Sequence, residues 1–181
     1  MTNTIPVTRQ QVFRNRAMAL AAKPPSPENG RPTISLVEIR LAHERYAVES
    51  AYVREVLPLK DVTPLPCTPA FVLGLINVRG QIMSVIDLRV FFDLPRLSVT
   101  TGFKVIILKS GDMEVGVVAD AVVEARSLPL DSLSPALPTL TGLRAAYLRG
   151  IAEGDLVVLD AARLLADPSI VVNEEVKGGE Q

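Results

Sequence analysis

The chain contains two copies of one pattern of short apolar segments, and this internal repeat limits its possible folds more than any other feature. Residues 74–92 parallel residues 150–165, although the second copy is a few residues shorter at its turn. Upstream, residues 46–56 parallel residues 115–125 in the same order. Because a small β unit has exposed sheet edges unless it closes on itself, the repeat predicts two related units. Each would be a barrel of about five strands with a short helix.

The apolar segments within the repeat are short and alternate with turn residues, which is typical of strands. Two brief helical signals begin at Asp87 and Asp160, whose side chains can cap a first turn. Hydrophobic residues make up 48% of the chain but aromatic residues only 4%, so we expect an aliphatic, mainly β interior. Three hairpins and one late strand follow from the pattern: residues 34–40 with 46–48, 73–78 with 81–86, 105–108 with 114–119, and 156–159 alone.

Charge and proline content divide the chain into three parts. Residues 1–31 hold five basic residues and one acidic residue, and residues 24–32 include four prolines, which is typical of an extended linker. Residues 8–22 carry a partial apolar stripe. They form either a frayed arm or a basic amphipathic helix that docks on a partner. We expect residues 32–168 to form the folded domain and residues 169–181 a flexible tail.

Composition and motif content exclude several classes of function. A formal net charge of -1 disfavours a nucleic-acid-binding protein, which needs a basic surplus, and the apolar runs fall far short of the ~20 residues that cross a bilayer. His43 lies in a predicted turn, and Cys67 has no basic neighbour that would activate its thiol. Only scattered carboxylates remain as metal ligands, and no glycine-rich phosphate loop is present. The sequence therefore predicts no enzyme, no metal site and no cofactor.

The remaining candidates belong to an interaction surface. Gly80 supplies the positive φ that a tight hairpin needs, so Arg79 beside it should point outward, where a guanidinium can fork onto a carboxylate or carbonyl oxygens of a partner. The ordinary alternative for Arg79 is a solvated turn residue. Residues 52–57 interleave apolar and charged side chains after a strand. The alternative there is one turn of helix that covers a barrel end.

At these residues the chain resembles the CheW family, the coupling proteins of bacterial chemotaxis, over about residues 34–168. Each matching motif is short, and their order and spacing together make the resemblance specific. The motifs are Tyr46-Ala-Val48, Val53-Arg-Glu-Val56, Pro64-Leu-Pro66, the run from Pro69 to Gly80, Val85-Ile-Asp-Leu-Arg89, Gly116-Val-Val-Ala-Asp120 and Tyr147-Leu-Arg-Gly-Ile151.

The resemblance implies two five-stranded SH3-like barrels packed on a shared hydrophobic core, and a cytoplasmic, non-enzymatic adaptor that works without a cofactor at receptor arrays. Its implied partners are the cytoplasmic tip of methyl-accepting chemoreceptors and the regulatory domain of the chemotaxis histidine kinase. Kinase-facing residues are not assigned. The receptor-binding positions that carry over to this chain are Val53, Glu55, Val56, Gly74 and Arg79.

Two alternatives remain open beside the chemotaxis adaptor, and a third, an enzyme, would need a pair of carboxylates in a cleft that no motif reveals. An adaptor of the same family could serve a non-flagellar pathway such as twitching motility. A small β-barrel nucleic-acid-binding protein is the less favoured choice, because residues 32–181 carry 14 basic and 19 acidic residues.

Overall fold

The computed structural model describes residues 31–95, 102–135 and 143–170 of the 181-residue chain. The expected N-terminal arm and C-terminal tail therefore lie almost wholly outside the described residues. The strands are β1 (Thr33–Leu41), β2 (Glu44–Glu49), β3 (Val53–Pro58), β4 (Val72–Val78), β5 (Gln81–Ile86), β6 (Lys104–Ser110), β7 (Met113–Ala119), β8 (Ala121–Pro129), β9 (Leu148–Ala152) and β10 (Leu156–Leu159). The α-helices are α1 (Leu88–Phe91), α2 (Leu143–Ala146) and α3 (Ala161–Ala166), and 3-10 turns cover Ser50–Tyr52 and Leu130–Ser132.

The strands form two five-stranded sheets of the same topology. We name the sheet with order β8-β1-β2-β10-β9 the first barrel, and the sheet with order β3-β6-β7-β5-β4 the second barrel. An antiparallel bridge from Ser134 to Ile151 closes the first, and one from Thr63 to Leu75 closes the second. The prediction of a mainly β fold built from two five-stranded units is confirmed.

The internal repeat is visible in the topology, with an exchange of strands between the copies. The first copy runs from β1 to α1 and the second from β6 to α3. β1 and β2 of the first copy join β8, β9 and β10 of the second, while β3, β4 and β5 join β6 and β7. Each barrel is therefore made from both copies. The expectation that each copy of the repeat closes into its own barrel is wrong, because the copies exchange strands.

Alternation along the strands produces three apolar clusters. In β1, Ile39 and Leu41 enter a core shared by both barrels, whereas Ile34 and Leu36 fill the interior of the first barrel. In β6, residues 106 and 108 face the shared core and residues 105 and 107 fill the second barrel. Full burial of such a side chain contributes about 1.5–3 kcal/mol, so the shared core holds the barrels together.

Both predicted helix caps are present, and each lies at the same place in its copy. The Asp87 carboxylate accepts a hydrogen bond from Arg89 N at 2.9 Å, and the Asp160 carboxylate accepts one from Arg163 N at 3.0 Å. The helical alternative for residues 52–57 is wrong, because a 3-10 turn ends at Tyr52 and β3 begins at Val53. The predicted turn at residues 42–45 is also shorter than expected, because β2 already begins at Glu44.

Candidate functional site

The turn between β4 and β5 presents Arg79 to solvent. Arg79 has φ 51° and Gly80 has φ 86°, which are the positive values of a two-residue hairpin turn that matches the twist of its strands. The Asn77 side-chain oxygen accepts a hydrogen bond from Gly80 N at 2.8 Å and fixes the turn. The Arg79 side chain is 78% exposed. The outward direction that the sequence predicts for Arg79 is therefore observed.

Glu55 of β3 lies beneath Arg79. Arg79 Nη2 is 3.0 Å from Glu55 Oε2, and only 15% of the Glu55 side chain is exposed. The pair joins two segments that meet where β3 and β4 close the second barrel. The arrangement holds an exposed guanidinium over a nearly buried carboxylate.

The two valines of β3 lie at different depths. Val53 is half-buried against the shared core, and Val56, directly after Glu55, is 39% exposed. Val56 is one of the few large apolar side chains that the described residues expose. The structure thus brings Glu55 and Arg79 into contact. Val53 and Val56 lie on the other face of β3, because they pair with Leu108 and Ile106 of the shared core whereas Glu55 pairs with Ile107.

Gly74 lies below the surface. It is buried and has φ 141°, and a Cβ atom there would lie 2.2 Å from the Thr63 carbonyl oxygen. Thr63 and Leu75 exchange two backbone hydrogen bonds of 2.8 Å at this point. Gly74 therefore lets the closing segment of the second barrel approach β4, and it lies near the start of that strand, away from the turn that carries Arg79.

Three further charged residues join this group, although the sequence does not predict them as site residues. Arg54 donates to the Gln81 side-chain oxygen at 3.0 Å and is paired with Glu114, and its Nε lies 4.0 Å from Glu55 Oε1. Lys109 Nζ donates to Glu114 at 2.6 Å, and this hydrogen bond is the main cause that lowers the pKa of Glu114. The resulting series of alternating charges is here named the ion chain: Lys109, Glu114, Arg54, Glu55 and Arg79.

Other polar groups have structural roles. Arg89 pairs with Asp87 and with Asp120, and Asp120 also accepts a hydrogen bond from Ala42 N at 2.6 Å, which ties the two barrels together.

His43 and Cys67 are both exposed, on the β1–β2 turn and in the loop after β3. Within residues 31–95, 102–135 and 143–170, no three potential metal ligands come together. Over the same residues, no helix is long and apolar enough to cross a membrane.

The described residues thus form two fused β-barrels with an exposed ion pair at one end, an architecture that presents charged surface for interaction. The CheW-like domain model matches residues 35–169, so the chain belongs to the CheW-like family.

Individual relatives agree with this membership. The chain is 32% identical to the chemotaxis protein CheW of Klebsiella aerogenes over 75% of this chain and 84% of that protein. It is 33% identical to the protein FrzA of Myxococcus xanthus over 68% and 76% of the two chains. The crystal structure of the scaffolding protein TtCheW from Thermoanaerobacter tengcongensis is similar with a TM-score of 0.65 and 30% identity, over 74% of this chain and 89% of that one. The predicted family and adaptor class are confirmed.

Proposed function

We propose that the chain is a non-enzymatic scaffold that couples methyl-accepting chemoreceptors to the chemotaxis histidine kinase, in the cytoplasm at membrane-associated arrays. Membership of the CheW-like family and similarity to a scaffolding protein support this function. The observation that carries the receptor site is the Arg79–Glu55 pair, a 3.0 Å contact that joins two of the family-matched positions at an exposed barrel end.

The geometry suits a helical partner. A receptor tip is a helical hairpin, and an amphipathic helix binds by burying apolar side chains while charges at the rim fix its register. Val56 would supply the apolar contact, and Arg79 would present its remaining N–H donors to a carboxylate or to helix carbonyls. Val53 and Gly74 would act indirectly, because Val53 packs β3 on the shared core and Gly74 lets the closing segment approach β4.

The relatives include proteins named CheW and one named FrzA, so similarity supports the coupling role for either a flagellar or another chemosensory output. Linked contacts of moderate strength would be sufficient in an array, because tethered partners rebind at high effective concentration.

Arg79→Glu tests the receptor site. The substitution places a second carboxylate over Glu55 and removes the exposed guanidinium, so we expect receptor binding to weaken by about tenfold or more. The protein is mixed with a receptor cytoplasmic fragment and the histidine kinase, and co-sedimentation and kinase activity are measured. Coupling requires that kinase activity in the sedimented complex depends on the protein.

Arg163→Glu is the matched control. Arg163 on α3 is also exposed and also pairs with one carboxylate, with Nε 3.3 Å from Asp160 Oδ2. We expect this variant to sediment and to support kinase activity like the wild type. Equal binding by Arg79→Glu and wild-type protein, with both folded, would refute the site assignment. Kinase activity that ignores the protein altogether would refute the coupling role.

A further inference from the structure

The two barrels offer an internal comparison, because the repeat places equivalent residues at equivalent ends. Arg40 faces Arg45 across the β1–β2 hairpin as Lys109 faces Glu114 across the β6–β7 hairpin. In the first barrel, this end is closed around Glu38, which is 1% exposed. Arg45 donates to both Glu38 carboxylate oxygens at 2.7 and 3.0 Å, and Arg126 lies 3.5 Å away. Arg45 also reaches the Gly154 carbonyl oxygen of the β9–β10 turn at 3.3 Å.

The second barrel reverses this arrangement, because a cation stands at the centre. Arg54 lies between Glu55 and Glu114. Arg54 also donates a hydrogen bond to Gln81 at the start of β5, just as Arg45 of the first barrel donates one to Gly154 in the β9–β10 turn. Arg54 is also the extra residue of a β-bulge, since Val53 pairs with Leu108 and Glu55 with the next residue, Ile107. The first barrel has the same bulge in β8, where Val123 is the extra residue. The side chain that the bulge re-aims is therefore a valine in the first barrel and an arginine in the second.

Exposure in the ion chain follows the sign of the charge. The Glu55 and Glu114 side chains are 15% and 17% exposed, whereas Arg79, Lys109 and Arg54 are 78%, 49% and 34% exposed. The carboxylates therefore lie underneath, and the cations form the outer layer. The outward charges of the ion chain are thus cationic from Arg79 over Arg54 to Lys109, in a chain with a formal net charge of -1. The exposed acid nearest to this surface in the sequence is Asp112, in the β6–β7 turn beyond Lys109.

The hairpin that carries Arg79 is also longer than its counterpart. Gly74 and Asp87 are 13 positions apart, whereas the equivalent Gly150 and Asp160 are 10 apart. The additional residues lengthen the strands, because β4 and β5 have 7 and 6 residues whereas β9 and β10 have 5 and 4. The longer hairpin carries its two-residue turn, and Arg79 with it, to the ion chain. One end is closed over a buried carboxylate, and the other is extended and basic.

We propose that the docking surface extends from Arg79 across the whole end of the second barrel to Lys109, and that it takes the acidic face of a partner helix. Lys109 contacts the partner directly in this arrangement. Arg54 is a positioning residue, because it holds Glu55 under Arg79 and Glu114 under Lys109. This inference rests on the proposed receptor-coupling function and defines how much of the barrel end that function uses.

The test measures binding of the receptor cytoplasmic fragment at several salt concentrations. Lys109→Gln removes one outer cation, so we expect binding about three- to tenfold weaker at low salt, with a shallower dependence on salt concentration. Arg40→Gln changes the exposed cation at the equivalent place in the first barrel, and we expect it to bind like the wild type.

Arg54→Gln tests the positioning role. We expect weaker binding, and a double variant with Arg79→Glu that loses less than the sum of the two single losses, because both substitutions disturb the same carboxylate. Strict additivity of the two losses would contradict the positioning role, whatever Arg54→Gln does to stability.

The outcomes separate this inference from the proposed function. If Lys109→Gln binds like the wild type while Arg79→Glu binds weakly, the extended surface is wrong and the receptor site stands. If neither variant changes binding, the receptor site itself is wrong. If Arg40→Gln weakens binding as much as Lys109→Gln, the effect comes from overall charge, and the extended surface is again wrong.

Discussion

Gly74 and Gly150 hold the same position in the two copies of the repeat, and at each of them a second backbone segment passes close by. A Cβ atom at Gly74 would lie 2.2 Å from the Thr63 carbonyl oxygen, and one at Gly150 would lie 2.8 Å from the Ser134 carbonyl oxygen. The two bridges that close the barrels run through these contacts, from Thr63 to Leu75 and from Ser134 to Ile151. A glycine is needed at each closing point because any side chain would push the segments apart.

Gly74→Ala is expected to be strongly destabilising. The new methyl group overlaps a backbone oxygen that cannot rotate away, and φ 141° is a region that residues with a side chain rarely adopt. We expect a loss of about 3 kcal/mol or more in the free energy of unfolding, measured with urea. Gly80→Ala is the control, because Gly80 also has a positive φ of 86° but a Cβ atom there would meet no other atom within 4 Å. Its loss should stay at about 1 kcal/mol. Equal losses for the two variants would mean that close approach plays no part.

At the scale of elements, the hairpins could be predicted because their information is local. Alternation, turn glycines and the two Asp caps lie within a few residues of one another, and β4–β5, β6–β7 and both caps appear where the sequence places them. The strand exchange could not be predicted. β3 pairs with β6 and β8 with β1, and nothing in the composition of β3 or β8 identifies a partner so distant in the chain.

The candidate site shows the same division. The outward direction of Arg79 follows from the glycine beside it, which is a local signal. The contacts of Arg54 with Gln81 and Glu114 depend on three strands ending at the same side of a barrel, and their residues are 27 and 60 positions apart. Only the strand order brings these charges together, so the ion chain could not be predicted from the sequence.

Glu38→Gln tests the closed end of the first barrel through its pH dependence. The hydrogen bond from Arg45 is the main cause that lowers the pKa of Glu38 from its ordinary value of 4.5. A carboxyl group with a lowered folded-state pKa stabilises the fold above its unfolded-state pKa, and this stabilisation is lost as the pH falls through the folded-state pKa. We therefore expect the free energy of unfolding of the wild type to fall below about pH 4.5. The Glu38→Gln variant carries an amide that does not titrate, so this part of the acid loss should be missing from it.

Glu124→Gln provides the comparison for that measurement. The Glu124 side chain is 56% exposed and lies 4.0 Å from the same Arg126 that approaches Glu38. Exposed pairs of this kind contribute little to stability. The free energy of unfolding of Glu124→Gln should therefore fall at low pH as it does in the wild type. If the free energy of unfolding of Glu38→Gln falls at low pH as much as that of the wild type, the buried carboxylate does not couple folding to protonation.

At the scale of the whole molecule, the barrels form one unit for two reasons. Each is assembled from strands of both copies of the repeat, so one cannot unfold without removing strands that continue into the other. They also share the largest apolar cluster, and Asp120 links Arg89 of one copy to the β1–β2 turn through Ala42 N. We therefore expect the two barrels to unfold together as one unit.

Ile107→Val tests this coupling by hydrogen exchange. Ile107 is fully buried inside the second barrel, in a cluster that contains no residue of the first barrel among those described. Removing one methylene should cost about 1 kcal/mol, and if the molecule unfolds as one unit, the slowest amides of β1 and β2 lose the same protection as those of β6 and β7. Val123→Ala, at a side chain that is 47% exposed, should change neither barrel. A loss of protection confined to the amides of β3–β7 would show that the second barrel opens alone. The exchanged strands would then not couple the unfolding of the two barrels.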